Sequence, residues 1–196
     1  MSKLGNLKLL VESKSGQKLV SYDSEALRCL LRYDIASMQQ NGFDPSIVRE
    51  HQGFNDKLES AFRHPDVSEY LSDLTAENIY FASGVRVLTL DSIKQEIQQL
   101  EPGALLFQYG YLPIASSIGG NIICFHLPTN QVVWADHGSF GTEEISFENR
   151  LTGEWEYIPF SPENIQRALV PLATNLEAFL FDLLTDKMEK HLDELD

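Results

Sequence analysis

The sequence predicts an α+β fold in which a largely antiparallel β-sheet is flanked by N- and C-terminal helices. Apolar residues recur at helical spacing over residues 24–75, β-rich runs separated by turn residues fill residues 104–158, and a helical pattern returns after residue 160. Helices and strands are therefore grouped along the chain instead of alternating, which favours α+β over α/β. The length of 196 residues is typical of a single domain, and we expect one over residues 1–196.

The N-terminal segment, residues 1–23, is predicted to form a β-hairpin. Its sequence LKLLVESKSGQKLVSY, residues 7–22, has apolar stretches on both sides of the turn residues Lys14-Ser15-Gly16. We therefore expect two short strands before the helical region.

Residues 24–75 are predicted to be wholly helical. Asn41-Gly42 ends the first helix, because glycine readily adopts the left-handed conformation that often follows a helix. Pro45 suits the first turn of the next helix, where its missing N–H has no partner to lose. A short helix is predicted to start at Asp44-Pro45. The residues predicted to cap the other helices are Ser24, Asn55 and Asp66.

From residue 79 onward the pattern changes to short β-rich runs. IYF and VRVLTL precede a helix predicted over residues 91–100, which Pro102-Gly103 ends. The predicted strands that follow are ALLFQY, YLPIA, NIICFHL, QVVWAD, EEISF and EWEYIPF. Turn residues separate them at intervals of about 8–12 residues, which is typical of an antiparallel meander.

The C-terminal region is predicted to be helical again. Ser161-Pro162-Glu163 opens a helix that Pro171 interrupts, and residues 174–177 match a capping box for the next helix. That helix carries an apolar stripe over residues 176–184. The charged tail, residues 185–196, is expected to be exposed.

The charge of the chain excludes several classes of partner. The net charge is −14, and it is distributed as +3 over residues 1–20 and −17 over residues 21–196. Such a surface repels phosphate backbones and anionic lipids, so neither nucleic acid nor a membrane is an expected partner. A basic protein partner is favoured, although solubility alone would also explain the charge.

A cytoplasmic protein is expected. The chain lacks an apolar run of about 18 residues, and its N-terminus does not resemble a signal peptide. Cys29 and Cys124 are far apart in sequence and lie in apolar surroundings, so we expect two buried free thiols instead of a disulfide.

The residues around Cys124 are of types that are common in active sites. Ile122, Cys124 and His126 share one face of a predicted strand whose other face is also apolar. The strand is therefore expected to be central, with Cys124 buried and unreactive. The alternative is a thiol hydrolase that uses Cys124 with His126 or His137. However, alternate strand positions lie about 7 Å apart, too far for a hydrogen bond within one strand.

Asp136-His137 and Gly119-Gly120 each have a functional and a structural interpretation. Asp136, His137 and His126 could ligate zinc, but a local turn in which the aspartate accepts backbone N–H groups is the favoured interpretation. The two glycines precede a strand, whereas phosphate-binding glycine loops follow one, so a structural turn is predicted.

An acidic and aromatic segment follows residue 142. Its members are Glu143, Glu144, Glu148, Glu154, Trp155 and Glu156. Paired carboxylates can hydrolyse glycosides, but the sequence does not fix their separation. A solvated strand face is the simplest interpretation. The alternative is a partner-binding surface, to which Asp136 and His137 would also belong, with Trp155 as its anchor.

The segment YLPIASSIGGNIICFHLPTNQVVWADHG, residues 111–138, resembles the hallmark segment of the SUKH superfamily. The matching positions are Leu112-Pro113-Ile114-Ala115, Gly119-Gly120, residues 122–127, Val132-Val133-Trp134 and Asp136-His137. IYFASGVRVLTLDSIKQE resembles the preceding strand and helix of the family, and NLEAFLFDLL resembles its closing helix, so the resemblance covers about residues 78–184. The helical region 24–75 looks like a variant of the family's N-terminal part. The residues expected to define the fold are Pro113, Gly119, Gly120, Trp134 and Phe179.

The resemblance implies an α+β fold without a catalytic constellation, and a function in binding other proteins. The superfamily includes fungal cell-wall assembly regulators of the Smi/Knr type and bacterial immunity proteins that neutralise toxins, many of them nucleases. Our leading hypothesis is therefore a non-enzymatic immunity protein that binds a basic toxin and uses no cofactor or metal. A regulatory adaptor of the fungal kind and a thiol hydrolase using Cys124 are the alternatives, and the oligomeric state is left open.

Overall fold

The computed structural model describes residues 3–15, 23–74, 79–81, 83–141, 143–149 and 151–195. The chain divides into two compact units, Met1–Glu77 and Asn78–Asp196. The single domain expected from the sequence stays a prediction. Helices together with antiparallel sheets confirm the predicted α+β fold class.

The described part of the first unit is helical. Its helices are α1 (Lys3–Ser15), α2 (Ser24–Gln40), α3 (Pro45–Ala61) and α4 (Pro65–Leu74). Helix α1 packs against α4, and α2 packs against both α3 and α4. The predicted helical region is thereby confirmed over its described residues. Asp23 caps α2 in place of Ser24, because its carboxylate accepts a hydrogen bond from the Ala26 amide at 2.6 Å.

The predicted N-terminal hairpin is wrong in its first strand, because Lys3–Ser15 is helical. Leu7 and Val11 are each 4% exposed, whereas Leu9 between them is 53% exposed. A strand would place all three side chains on one face, but this burial follows the four-residue spacing of a helix. Residues 16–22, which complete the predicted hairpin, lie outside the described residues.

The predicted cap at Asn55 is also wrong, since Asn55 lies inside α3 and is buried. Its side-chain amide donates to the Leu31 carbonyl oxygen of α2 at 3.1 Å, which satisfies the buried polar group. Asp44 caps α3 by accepting from the Ser46 amide at 2.7 Å. Hydrogen bonds from the Ser46 hydroxyl and amide hold the pKa of Asp44 below its ordinary value. The predicted cap at Asp66 is wrong as well, because Asp66 lies within the first turn of α4.

The second unit contains two antiparallel sheets. The strands are β1 (Ile79–Tyr80), β2 (Arg86–Val87), β3 (Tyr111–Ser116), β4 (Ile122–His126), β5 (Val132–Ala135), β6 (Glu144–Glu148), β7 (Trp155–Pro159) and β8 (Val170–Ala173). The larger sheet has the order β1-β2-β3-β4-β5-β8, and β6 and β7 form the smaller sheet. The predicted meander is confirmed for β3, β4 and β5, whereas β6 and β7 do not continue it.

The helices of the second unit are α5 (Leu90–Gln99), α6 (Gly103–Phe107), α7 (Pro162–Ala168), α8 (Leu176–Leu184) and α9 (Glu189–Asp193). The prediction that ALLFQY is a strand is wrong, because most of it belongs to α6. A short continuous apolar run fits a buried helix as well as a strand, so periodicity could not decide. Gly103 lets α6 approach α5 closely, since a Cβ atom there would lie 2.7 Å from the Glu96 carbonyl oxygen. No described helix is both long and apolar enough to cross a membrane.

Two predictions for the C-terminal region are wrong. Pro171 does not interrupt a helix, because it lies in β8 opposite Val133 of β5. Strand β8 is an edge strand, and edge strands tolerate proline because one of their sides forms no hydrogen bonds within the sheet. The tail after residue 185 is not wholly exposed, because Met188 is 6% exposed and Leu192 is fully buried. Their four-residue spacing places both side chains on the same side of the terminal helical turns.

Strand β4 lies between β3 and β5 and is covered on both faces, as predicted. Ile122 and Cys124 on one face, and Ile123 and Phe125 on the other, are buried. Ile122 and Cys124 share a hydrophobic cluster with Ile145 of β6. The hairpin of β6 and β7 therefore covers one face of the larger sheet.

Candidate functional site

The Asp136-His137 pair forms a local turn at the end of β5, as the sequence predicted. Asp136 Oδ1 accepts a hydrogen bond from the Gly138 amide at 2.8 Å, and the Ser139 hydroxyl donates to Oδ2 at 3.2 Å. Asn121 Oδ1, at the start of β4, accepts from the His137 amide at 3.0 Å and lies 3.1 Å from His137 Nδ1. Asn121 thereby links the two strands at the end where β4 begins, a role that the sequence did not reveal.

The thiol-hydrolase alternative requires a histidine, His126 or His137, to form a hydrogen bond with the Cys124 thiol. Cys124 is fully buried, and burial raises the pKa of its thiol. His126 Nδ1 lies 2.8 Å from Thr129 Oγ1, and burial lowers the pKa of His126. Among the described residues, neither His126 nor His137 forms a hydrogen bond with the Cys124 thiol. The site therefore keeps Cys124 protonated, which makes it a weak nucleophile.

Both cysteines are free thiols, as predicted, but only Cys124 is buried. Cys29 is exposed on α2, where its Sγ lies 3.8 Å from Glu25 Oε1, so the expectation of burial is wrong for Cys29. Within the described residues, no group of three or more histidine, cysteine, aspartate or glutamate side chains could hold a metal ion.

The hairpin of β6 and β7 presents an acidic and aromatic face to solvent. The register pairs Glu148 with Trp155, Ser146 with Tyr157 and Glu144 with Pro159, so these six side chains share what we call the outer face. Trp155 is 60% and Tyr157 is 64% exposed, and both glutamates are exposed. The alternate residues Ile145, Phe147, Glu156 and Ile158 form the inner face, which is largely covered.

An arginine of α7 binds to the inner face of this hairpin. One guanidinium nitrogen of Arg167 lies 2.7 Å from Glu156 Oε2, and its central carbon lies 5.3 Å from the centre of the Phe147 ring. The Asn149 side-chain amide donates to the other Glu156 oxygen. Glu156 is thus held by two neighbours, while Phe147 packs beneath the guanidinium as in other cation–π contacts.

A cleft of about 890 Å³ opens beside the hairpin within the second unit. Its walls also contain residues of β5, β8, α7 and α9, and of the loop between β6 and β7. Four of the eight predicted partner-binding residues line it: Asp136, Glu148, Trp155 and Glu156. Phe147, Arg167 and Leu195 line it as well. The cleft thus combines apolar walls with carboxylates and one arginine.

The other four predicted residues lie outside the lining of this cleft. His137, Glu143, Glu144 and Glu154 are exposed to solvent. Tyr157, Phe147 and Arg167 belong to the site but were missed by the sequence analysis. The alternation of β7 would have placed Tyr157 beside Trp155, whereas the contact of Arg167 depends on folding of α7 against the hairpin.

The residues expected to define the fold lie in or next to the larger sheet. Pro113 is buried at an irregularity of β3, and Trp134 in β5 and Phe179 in α8 are buried. Gly119 and Gly120 form the predicted turn before β4, and Gly120 has a positive φ of 86° that favours glycine.

Comparison of the chain with protein-family models, with curated proteins and with solved structures finds no match.

Proposed function

We propose that the chain is a non-enzymatic protein-binding module that acts as an immunity protein and sequesters a basic toxin. The observation that carries the proposal is the outer face of the β6–β7 hairpin, where Trp155 and Tyr157 are 60% and 64% exposed. Exposed aromatic side chains of this size are frequent anchors of protein interfaces. The resemblance of residues 78–184 to the SUKH superfamily supports the immunity role.

The charge of the hairpin supports a basic partner. Residues 143–159 contain five glutamates and one arginine, in a chain whose net charge is −14. Carboxylates can occupy the positions that nucleic-acid phosphates would take on a basic nuclease, and opposite charge accelerates association. Binding is therefore expected to weaken as salt concentration rises.

The test combines the chain with a basic toxin encoded beside its own gene. Co-expression should protect cells from the toxin, and calorimetry should detect a complex of the two purified proteins. Trp155→Ala should weaken the complex about 30-fold or more, the effect expected of an interface anchor, and should abolish protection. Tyr80→Ala is the matched control, because Tyr80 is 69% exposed on β1 and lies away from the hairpin sequence.

Both variants should keep the unfolding temperature of the parent chain, since each replaces an exposed side chain. Equal affinity of the parent and Trp155→Ala for the toxin would contradict the proposed surface. Absence of protection by the parent chain would contradict the immunity role. Moderate binding to several signalling proteins, without protection, would favour the adaptor alternative.

A further inference from the structure

Two neighbouring cross-strand pairs of the β6–β7 hairpin have the same chemistry. One pair joins Phe147 to Glu156 on the inner face, and the next joins Glu148 to Trp155 on the outer face. Each pair therefore places an aromatic ring opposite a carboxylate, with Cβ atoms about 4.5–5.5 Å apart. The two pairs differ in what they contact.

The inner pair holds a guanidinium group. Arg167 lies 2.7 Å from the Glu156 carboxylate and 5.3 Å from the centre of the Phe147 ring. A planar guanidinium can pack on an aromatic ring while its N–H groups donate to a neighbouring carboxylate. The protein thus contains its own example of arginine bound by such a pair.

The outer pair is open to solvent. Trp155 is 60% exposed and Glu148 is exposed. Among the described residues, no cation forms an ion pair with Glu148 or lies over the Trp155 ring. Both residues also line the cleft of about 890 Å³, which leaves room for a side chain from another molecule.

We propose that Glu148 and Trp155 form a binding site for an arginine side chain of the protein partner. The guanidinium packs on the Trp155 indole and donates to the Glu148 carboxylate, as Arg167 does on the inner pair. This inference rests on the proposed function, because it assigns the chemistry that the partner presents to the outer face. The five glutamates of residues 143–159 supply the complementary charge around the site.

The probe is a short arginine-rich peptide, with a second peptide in which citrulline replaces arginine. Citrulline keeps the shape of arginine and removes its charge. Nuclear magnetic resonance follows the indole N–H signals of the two tryptophans, which Trp155→Phe assigns. The arginine peptide should shift the Trp155 signal in a saturable manner, and more than that of Trp134, which also lines the cleft but is only 2% exposed. The citrulline peptide should produce no saturable shift.

Two glutamate variants separate a local site from general charge. Glu148→Gln should weaken the arginine peptide about fivefold, as expected for the loss of one exposed contact of this kind. Glu143→Gln removes the same charge from the same segment and should weaken the peptide less than twofold, about the effect of a distant screened charge. Equal weakening by the two variants would overturn the proposal, as would equal shifts by both peptides.

A third variant tests whether the chain's own arginine is the occupant. Arg150 follows Glu148 by two residues in sequence. Arg150→Ala should tighten peptide binding less than twofold, the effect of removing one like charge nearby, and this result supports the proposal. A larger gain would show competition from within the chain and would overturn it. These measurements need only the purified chain. Peptide binding at Trp155, combined with a parent chain that gives no protection from the toxin, would refute the proposed function and leave the arginine site standing.

Discussion

Two hairpins of the second unit, β4–β5 and β6–β7, differ in how many of their faces are covered. Strand β4 lies inside a six-stranded sheet, and its first four residues are buried on both faces. Strand β7 belongs to a two-stranded sheet, and its burial alternates between exposed and partly covered residues. Polar residues near β4 therefore form hydrogen bonds that stabilise the fold, whereas those on β6 and β7 remain accessible to a partner.

A tryptophan in each hairpin makes the comparison direct. Trp134 is 2% exposed in β5, and Trp155 is 60% exposed in β7. Asp136 and His137, which follow Trp134, form hydrogen bonds within their own turn and with Asn121. Glu148, opposite Trp155, has no ion pair among the described residues. Tryptophan and acidic residues thus stabilise the fold at the first hairpin, whereas at the second they are accessible to solvent.

The largest expected effect separates the two tryptophans by stability. Trp134→Ala should lower the free energy of unfolding by about 3–5 kcal/mol, because it leaves a large cavity in the core. Trp155→Ala should change it by less than about 0.5 kcal/mol, because the side chain is mainly in solvent. Urea denaturation followed by circular dichroism measures both values. Similar losses for the two variants would remove the distinction between the hairpins.

The sequence predicted the first hairpin well because its signals are local. Continuous apolar runs of strand length are separated by turn residues, and Asn130, in the turn between β4 and β5, has a φ of 64° that asparagine tolerates better than most residues. The acidic and aromatic character of β6 and β7 was also visible. Their separate sheet was not, because strand pairing depends on tertiary contacts that the sequence does not record.

The failures arose where local patterns fit two structures. Leu7, Leu9 and Val11 match a strand as well as a helix when only three positions are compared. Arg167 lies eleven residues from Glu156, and nothing in the sequence connects the two before α7 packs against β6. The cleft is formed by segments distant along the chain, so its lining was predicted only for the hairpin and for Asp136.

An intermediate effect is expected for the cysteine of the first hairpin. Cys124→Ser should lower the free energy of unfolding by about 1–3 kcal/mol, because it buries a hydroxyl group among apolar residues. Cys124→Ala removes that polarity, so a smaller loss for alanine would confirm the cause. Cys29→Ser, at an exposed position of α2, should change stability by less than about 0.5 kcal/mol.

Alkylation with iodoacetamide tests the same contrast in the unmutated chain. Cys29 should react in the folded protein, whereas Cys124 should react only after unfolding, because it is fully buried and burial raises the pKa of its thiol. Mass spectrometry of digested samples resolves the two sites. Rapid native alkylation of Cys124 would instead support the thiol-hydrolase alternative.

The smallest effect concerns a buried carboxylate near the first hairpin, in contrast with the exposed ones of the second. Glu96 of α5 is 7% exposed, and its charge contributes to the raised pKa of the Cys124 thiol. Burial raises the pKa of Glu96 above its ordinary value of 4.5, and the positive charge of Arg86 opposes this. An acid with a raised pKa in the folded state stabilises the fold fully below its unfolded pKa, and this contribution is lost as pH rises through the folded pKa.

Glu96→Gln removes this titration while keeping the shape of the side chain. Its stability relative to the parent should therefore increase as pH rises above 4.5 and should level off above the folded pKa of Glu96. The final gain should stay below about 1 kcal/mol, because Arg86 offsets part of the burial cost. Glu148→Gln, the exposed control, should change stability by less than about 0.5 kcal/mol at every pH. Chemical denaturation from about pH 4 to about pH 8 covers the window. If Glu96→Gln lowers stability at neutral pH, attraction to Arg86 outweighs burial, and the carboxylate near the first hairpin is a stabilising charge.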